Sequence, residues 1–593
     1  MTTRSTRSPR RRTVVALAVV LAVLSGFVVR LVDIQVVNAD QHIEDSMELS
    51  LGSAQKLYGA RGEIVDDEGQ TLAGSILLYD GVLSPMNVAP IKKEVDGKTV
   101  TTSVADQAAQ MAAITGQTAD EIEQIITDAL AENPNSQFAY LAQSLTTEQY
   151  RALADLGYSY LTFSPHPSRT YPDGAVGGNL VGFVGSDGAA LAGLEKTEDS
   201  CLASEDGEVL YQKGADGVVI PGTETETAAV DGGTLKLTIN RDLEWYMQQL
   251  IAEQTQNMGA QSGTITVVDV KTGQIKAAAE YPTVDPNDIE ASSSDDWYSR
   301  IFKDTFEPGS TFKPLTAASL LDSGAATMET TVSASSLEYF ADGARVRDAF
   351  VHPAYNYHLT GVLVDSSNAG ISKFAELESA ETRYDYLKKF GIGIGSAIGF
   401  SGEQSGLIYP ADEWGTQTFY NTAFGQGLTT TVPELVGAYQ AIANDGVKIP
   451  LSLVDSCTSA DGTVTKPDTS DTTQVISSET AEDVQQMMEN VAIQGDLSDQ
   501  VQVPGYRIAF KTGTGEKSDG NGGYKAGVYF TTMIGFAPAD DPQYVVAVTL
   551  DEPTKVTSSA ATAPAFQKAM TQVLKTFRVM PSDTQPTILS KFG

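Results

Sequence analysis

Phe306-Glu307-Pro308-Gly309-Ser310-Thr311-Phe312-Lys313-Pro314 sets a serine at the start of a helix and a lysine one turn further on. That arrangement can activate an alcohol without histidine. Gly309 lets the chain turn sharply ahead of the helix. At the helix start Ser310 meets the positive end of the backbone dipole, which favours a developing anion. Lys313 projects from the same helical face. An ammonium buried beside other cations gives up its proton more easily, and a neutral Lys313 would then take the Ser310 proton. The tetrapeptide alone is weak evidence, because Ser53-Ala54-Gln55-Lys56 has the same form. Taken singly, Ser310 reads as a helix cap and Lys313 as a solvated helix lysine.

Two later motifs change that balance. Ser366-Ser367-Asn368 and Lys511-Thr512-Gly513-Thr514 follow in order. S-x-x-K, S-x-N and K-T-G together form one recognised set of acyl-transfer motifs. A second K-T-G begins at Lys271, but it precedes the serine and reads as a hairpin turn. The copy at Lys511 follows the apolar run Tyr506-Arg507-Ile508-Ala509-Phe510, a strand able to present it at a cleft edge. Ser366 can relay a proton, and Asn368 can hold a substrate amide and Lys313. Lys511 supplies positive potential for a substrate carboxylate, to which Thr512 and Thr514 offer hydroxyls. Gly513 permits a substrate strand to approach closely. The backbone N–H groups of Ser310 and Thr514 would form an oxyanion hole.

The chain has 593 residues, 41% hydrophobic and 19% charged, with a formal net charge of −37. This acidity argues against nucleic acid, which needs a basic footprint, and reads as a solvated surface. The charge is not spread evenly: Arg4, Arg7, Arg10, Arg11 and Arg12 precede an uncharged run from Thr13 to Val29. A basic segment before an apolar helix keeps the amino terminus cytoplasmic. No small-x-small cleavage site follows the run, so it reads as a retained single-pass anchor over 13–37 behind a basic tail over 1–12. The remainder would be extracytoplasmic. Cys201 and Cys457 are far apart and read as two free thiols in different domains, with a disulfide permitted but not established. No Cys/His cluster has metal spacing, and no cofactor is expected.

Residues 58–73 read as a hairpin about an acidic turn, 103–155 as helical, and 170–235 as loops and short strands. At Thr234 the texture changes to a strand, then a helix over 241–258, then two strands about Lys271-Thr272-Gly273. Val503–Lys511, Phe530–Phe536 and Tyr544–Leu550 suggest an antiparallel sheet. Residues 454–474 read as a loop or surface hairpin, and 576–593 as a tail.

At these motifs the chain resembles a class B penicillin-binding protein, a monofunctional peptidoglycan D,D-transpeptidase. Arg61-Gly62-Glu63-Ile64 resembles that family's hairpin, and Tyr171-Pro172, Gly182-Phe183-Val184-Gly185 and Gly193-Leu194-Glu195 its pedestal. Gly425-Gln426-Gly427 with Thr431 resembles the segment between the second and third motifs, and Asp551-Glu552-Pro553 the closing strand. Departures lie outside the motifs: Asp66-Asp67-Glu68, Gly188-Ala189-Ala190, and Glu434 where glutamine is common.

The resemblance implies an α+β architecture. A single transmembrane helix leads into an elongated mixed pedestal over 38–235. A transpeptidase fold over 236–575 follows, an antiparallel sheet flanked by helices with an all-helical subdomain. It also implies that Ser310 attacks the D-Ala-D-Ala bond of a peptidoglycan stem peptide. An amine of a neighbouring stem then resolves the acyl-enzyme, and β-lactams acylate the same serine. The region before residue 235 lacks the length and paired glutamates of a glycosyltransferase domain. A septal role is expected, with a polytopic membrane glycosyltransferase and other divisome proteins as partners. The alternatives are an elongation enzyme, a D,D-carboxypeptidase or β-lactam-sensing hydrolase, and a non-catalytic scaffold.

Overall fold

The computed structural model describes residues 9–32, 53–95, 98–212 and 220–593. Residues 1–8 and 33–52, on which most of the expected cytoplasmic tail and the end of the expected anchor fall, lie outside them. By packing, the chain divides into two units, Met1–Gly59 with Ser204–Val230, and Ala60–Ala203 with Asp231–Gly593. The first contains a helix over Pro9–Val32 and a three-stranded antiparallel sheet of Ser53–Leu57, Gly207–Tyr211 and Thr225–Thr227. Among the described residues no helix is long and apolar enough to cross a membrane. A spanning helix over 13–37 is therefore not supported by the described residues, which hold a helix over Pro9–Val32, while 33–37 lie outside them.

The second unit opens with the expected hairpin, β1 (Ile64–Val65) and β2 (Thr71–Leu83), paired Ile64 to Ala73. Asp66 closes its turn, since Oδ1 accepts from the N–H groups of Glu68 (2.9 Å) and Gln70 (2.7 Å). The stretch 103–155 holds three helices, α1 (Val104–Thr115), α2 (Ala119–Glu132) and, later, α3 (Thr147–Asp155). Ser103, Thr118 and Thr146 each open one with a capping box. A strand, β3 (Ala139–Leu145), interrupts the expected helical run. Pro134 follows the end of α2, where its ring forbids further helix, and β3 then pairs with β2. β4 (Leu161–Thr170) pairs along most of β2. Leu83, Met111, Ile122, Leu141 and Leu153 form a core local to this segment.

β5 (Thr234–Leu237) joins β1 in parallel, and the helix α4 (Arg241–Met258) follows. Strands β6 (Ser262–Asp269) and β7 (Ile275–Tyr281) flank the Lys271-Thr272-Gly273 turn. Helices α5 (Lys313–Asp322), α6 (Leu359–Val364), α7 (Asn368–Ala375) and α8 (Val432–Ala443) come next. β8 (Val454–Thr458) lies antiparallel to β5, and α9 (Ser478–Gln494) follows it. β9 (Ala509–Ser518), β10 (Tyr524–Ala537), β11 (Tyr544–Asp551) and α10 (Ala563–Thr576) follow. The main sheet is antiparallel in the order β7-β6-β11-β10-β9, so β9 is an edge. β6 and β11, in the middle of the sheet, are buried along nearly their whole length, because α4, α8 and α10 pack on it.

Two further expectations are corrected. Cys201 and Cys457 form a disulfide with Cα atoms 6.1 Å apart, and among the described residues no cysteine is free. β8 shares a sheet with β5, setting Cys457 opposite Leu235, while Gly233 N donates to Cys201 O (2.7 Å). Within 454–474, expected as a loop or surface hairpin, β8 and the short strand Val464–Thr465 join the sheet that contains β1 and β5. Residues 577–593 are not a loose tail. They run back over the fold, with Ser582 N donating to Gly505 O (3.0 Å) and His358 N to Lys591 O (3.0 Å).

Candidate active site

Ser310 lies in a 3-10 turn, Gly309–Phe312, that leads directly into α5. The turn is held against the sheet edge by four glycines. A Cβ on Gly513 would lie 2.5 Å from Pro308 O, one on Gly515 2.0 Å from Glu307 O, and one on Gly425 2.2 Å from Gly309 O. Gly309 itself has φ +56 and packs on the backbone of Thr514. This explains why glycine stands at 513: here the close neighbour is the Ser310 turn, where a substrate strand was expected. Gly309 N donates to Gly425 O (2.9 Å) and the buried Tyr439 hydroxyl to Thr311 O (2.7 Å), which fixes the turn from behind. The Ser310 and Thr514 N–H groups belong to these two closely packed segments.

Lys313 is fully buried. Its Nζ lies 2.8 Å from Ser310 Oγ, 2.5 Å from Ser366 O and 3.2 Å from Ser366 Oγ. Lys511, also buried, reaches the same hydroxyl from β9, with Nζ 3.0 Å from Ser366 Oγ and 3.3 Å from Thr512 Oγ1. Burial holds Lys313 well below the ordinary lysine range, the nearby Lys511 charge lowers it further, and Asp348 opposes. Burial pulls Lys511 down to about 7. The arrangement therefore offers a free amine beside a serine hydroxyl, with a second hydroxyl bridging to a titratable ammonium.

Ser366 sits between α6 and α7 with φ 54. This left-handed conformation is costly for a non-glycine residue and persists only where neighbours enforce it. It lets both its carbonyl and its hydroxyl reach Lys313. Ser367 caps α7, accepting from Gly370 N (2.8 Å). Asn368 differs from expectation: its Nδ2 donates weakly to Arg347 O (3.4 Å), and Ser366 takes the place foreseen for it beside Lys313. Thr512 and Thr514 are half-buried and alternate along β9 with buried Lys511 and Gly513, as the pleat requires. The K-T-G motif lies within the strand, which continues to Ser518.

Sequence reasoning missed Asp348 and His352. Asp348 Oδ2 accepts from Ser367 Oγ (2.7 Å) and lies 2.8 Å from His352 Nε2, while Oδ1 accepts from Ala369 N (2.8 Å). It so fixes both neighbours of Asn368. Neither residue lies in a motif, and no signal singled them out. The rim residues Glu307, Gln426, Glu516 and Tyr524 were also missed: Gln426 Nε2 donates to Glu516 Oε2 (2.9 Å) and Tyr524 Oη to Glu307 Oε1 (3.0 Å). Glu307 stood in the quoted Phe306–Pro314 stretch and Gln426 in Gly425-Gln426-Gly427, with no role read for either. The decoy Lys271 lies elsewhere, in the β6–β7 turn near Asn444 Oδ1 (3.3 Å).

Residues 263–571 match the penicillin-binding protein transpeptidase domain, and residues 56–237 the penicillin-binding protein dimerisation domain. The chain belongs to the penicillin-binding protein transpeptidase family. As a member it is a serine-type acyltransferase, a peptidoglycan D,D-transpeptidase. It is 35% identical over 457 residues to penicillin-binding protein PbpB of Mycolicibacterium smegmatis, covering 75% of this chain and 70% of that one. It is 29% identical over 565 residues to peptidoglycan D,D-transpeptidase FtsI of Escherichia coli K12, covering 95% and 91%. The crystal structure of penicillin-binding protein 3 of Mycobacterium tuberculosis, complexed with ampicillin, superposes with TM-score 0.69 at 28% identity. It covers 91% of this chain and all of that one.

Proposed function

We propose that this penicillin-binding protein cross-links peptidoglycan stem peptides through an acyl-enzyme on Ser310. The observation that carries the reading is the chain of contacts Ser310 Oγ–Lys313 Nζ–Ser366 Oγ–Lys511 Nζ, at 2.8, 3.2 and 3.0 Å. Ser310 Oγ adds to the carbonyl carbon of the penultimate D-alanine as its proton passes to neutral Lys313. The tetrahedral oxyanion is held by the N–H groups of Ser310 and Thr514. The C–N bond then breaks, and the departing D-alanine nitrogen takes a proton relayed through Ser366. An acceptor amine attacks the ester, gives its proton to Lys313, and Ser310 Oγ recovers a proton as it leaves. Lys511 with Thr512 and Thr514 receives the substrate carboxylate, and Asn368 the substrate amide. The ampicillin complex of the Mycobacterium tuberculosis relative supports β-lactam acylation of the same serine here.

Incubation of the full chain with a fluorescent penicillin tests this. Wild type is expected to be labelled covalently and Ser310→Ala not; equal labelling of both would sink the assignment.

The two family matches support a pedestal over 38–235 and a transpeptidase domain over 236–575. An anchor over 13–37 rests on the uncharged run and on apolar side chains from Val14 to Val28 that are 53–65% exposed. With it go an extracytoplasmic catalytic domain and a polytopic glycosyltransferase partner. Overall resemblance favours a septal role over elongation. A fluorescent fusion of the whole chain should band at mid-cell in dividing cells; a side-wall or diffuse signal overturns that part.

A further inference from the structure

Residues 587–593 end beside the second motif. Their main chain is held first by α9: Asn490 Nδ2 donates to Thr587 O (2.9 Å), Asn490 Oδ1 accepts from Leu589 N (3.0 Å), and Gln494 Nε2 donates to Leu589 O (2.9 Å). It then meets the segment leading into α6. His358 N donates to Lys591 O (3.0 Å), Gly593 N donates to Asn356 O (2.9 Å), and Tyr357 and Phe592 form an antiparallel bridge. The approach is close enough that a Cβ on Gly361 would lie 2.1 Å from Lys591 O. Phe592 packs on the rings of Tyr355 (4.7 Å) and Tyr357 (5.2 Å).

The strap also carries a charge. Lys591 Nζ pairs with Asp365 Oδ1, and the Tyr357 hydroxyl donates to Asp365 Oδ2 (3.2 Å). Asp365 is the residue before Ser366.

We propose that Lys591 is a positioning residue for acyl transfer, acting through Asp365 to hold Ser366 against Lys313. This rests on the assignment of Ser310, Lys313 and Ser366 made above. Ser366 occupies the left-handed region, so its conformation must be imposed from both sides. On the far side Asp348 grips Ser367 and Ala369. On the near side the fixed point is Asp365, whose two oxygens are taken by Lys591 and Tyr357. The Lys591 and Asp365 side chains are 25% and 14% exposed, so the pair is only partly screened by solvent. Releasing Lys591 frees one of the two ties on Asp365 and lets the Ser366 hydroxyl drift from the two lysines. Misplacing a reacting group by about 1 Å can cost on the order of a hundredfold in rate.

The test uses the full chain and acylation by penicillin, resolved into an affinity for the non-covalent complex and a first-order acylation rate. Lys591→Ala should lower the acylation rate about tenfold or more with affinity little changed, and Lys591→Arg should restore most of it. Asn490→Ala is the structural control. It loosens the strap upstream without touching Asp365, and should lower the thermal midpoint without a matching loss of rate. A Lys591→Ala rate equal to wild type, or no lower than that of Asn490→Ala, overturns the proposal. If Lys591→Ala does not fold, Lys591→Gln, which keeps most of the stem, is read by the same two outcomes. Failure of the wild type to acylate at Ser310 would instead overturn the active-site assignment, which separates the two.

Discussion

Ser366 Oγ lies within hydrogen-bond reach of two buried amines, Lys313 and Lys511. In water both would be charged at neutral pH. Burial disfavours each charge, and two ammonium groups converging on one hydroxyl disfavour each other. Burial first and the Lys511 charge second hold Lys313 well below the lysine range, against Asp348, and burial lowers Lys511 to about 7. The two titrate as a pair. The first proton leaves well below the lysine range and frees the Lys313 amine. The second leaves near pH 7 and removes the charge that would draw a substrate carboxylate to β9. The second-order rate of penicillin acylation, which reports groups in the free enzyme, should therefore decline on the alkaline side with an apparent pKa near 7. Lys511→Arg keeps its charge throughout this range, so its rate should be lower but its alkaline limb displaced above about pH 9. Stopped-flow acylation from about pH 5 to about pH 10 measures both profiles. An unmoved limb in Lys511→Arg would assign it to another group.

At the scale of elements, β9 shows what sequence can and cannot reveal. Its period of two puts Lys511, Gly513 and Gly515 on one face, and the K-T-G pattern marks the strand as functional before any fold is known. That Gly513 and Gly515 are pressed against the Glu307–Thr311 turn is invisible, because a close approach between segments some 200 residues apart leaves only a glycine as its trace. α4 and the β6–β7 hairpin were legible from local periodicity and a turn tripeptide. The break at Asn133-Pro134 was available in the sequence, but the apolar spacing on either side masked the intervening strand β3. Asp348 and His352 had no trace, since their contacts depend on where α7 begins. Glu434, the departure from glutamine, has a local reason. With Thr431 it forms the capping box of α8. Its Oε1 also accepts from Gly395 N (2.9 Å) and Gly406 N (3.0 Å), donors that suit a carboxylate at least as well as an amide. The strap over 577–593 escaped notice because its contacts run largely through the main chain, so no hydrophobic period records them.

At the scale of the whole molecule, the Cys201–Cys457 disulfide spans 256 residues of sequence. It ties the short helix Asp199–Leu202 to β8, a strand contributed from far down the chain to the sheet of β1 and β5. The same region is held by a buried ion cluster in which Glu195 accepts from Arg61 Nε and Arg169 Nε, each at 2.6 Å. Covalent closure restricts the unfolded chain more as the loop lengthens, and a loop this long gives about 5.5 kcal/mol by the chain-entropy estimate, with about 2–4 more usual in practice. Such a bond persists in an oxidising compartment, in keeping with the extracytoplasmic location proposed above. Reduction should therefore destabilise the folded protein without disabling its chemistry, since Ser310, Lys313, Ser366 and Lys511 lie on other elements. In urea unfolding, dithiothreitol should shift the wild-type midpoint down by an amount equivalent to about 2–5 kcal/mol and leave Cys201→Ser/Cys457→Ser unmoved. Below its transition, the double variant should acylate with penicillin within about twofold of wild type, because sites so separated act nearly independently. Two free thiols appearing in wild type with no shift in midpoint would mean that the hydrogen-bonded sheet and the Glu195 cluster hold this junction without the covalent tie.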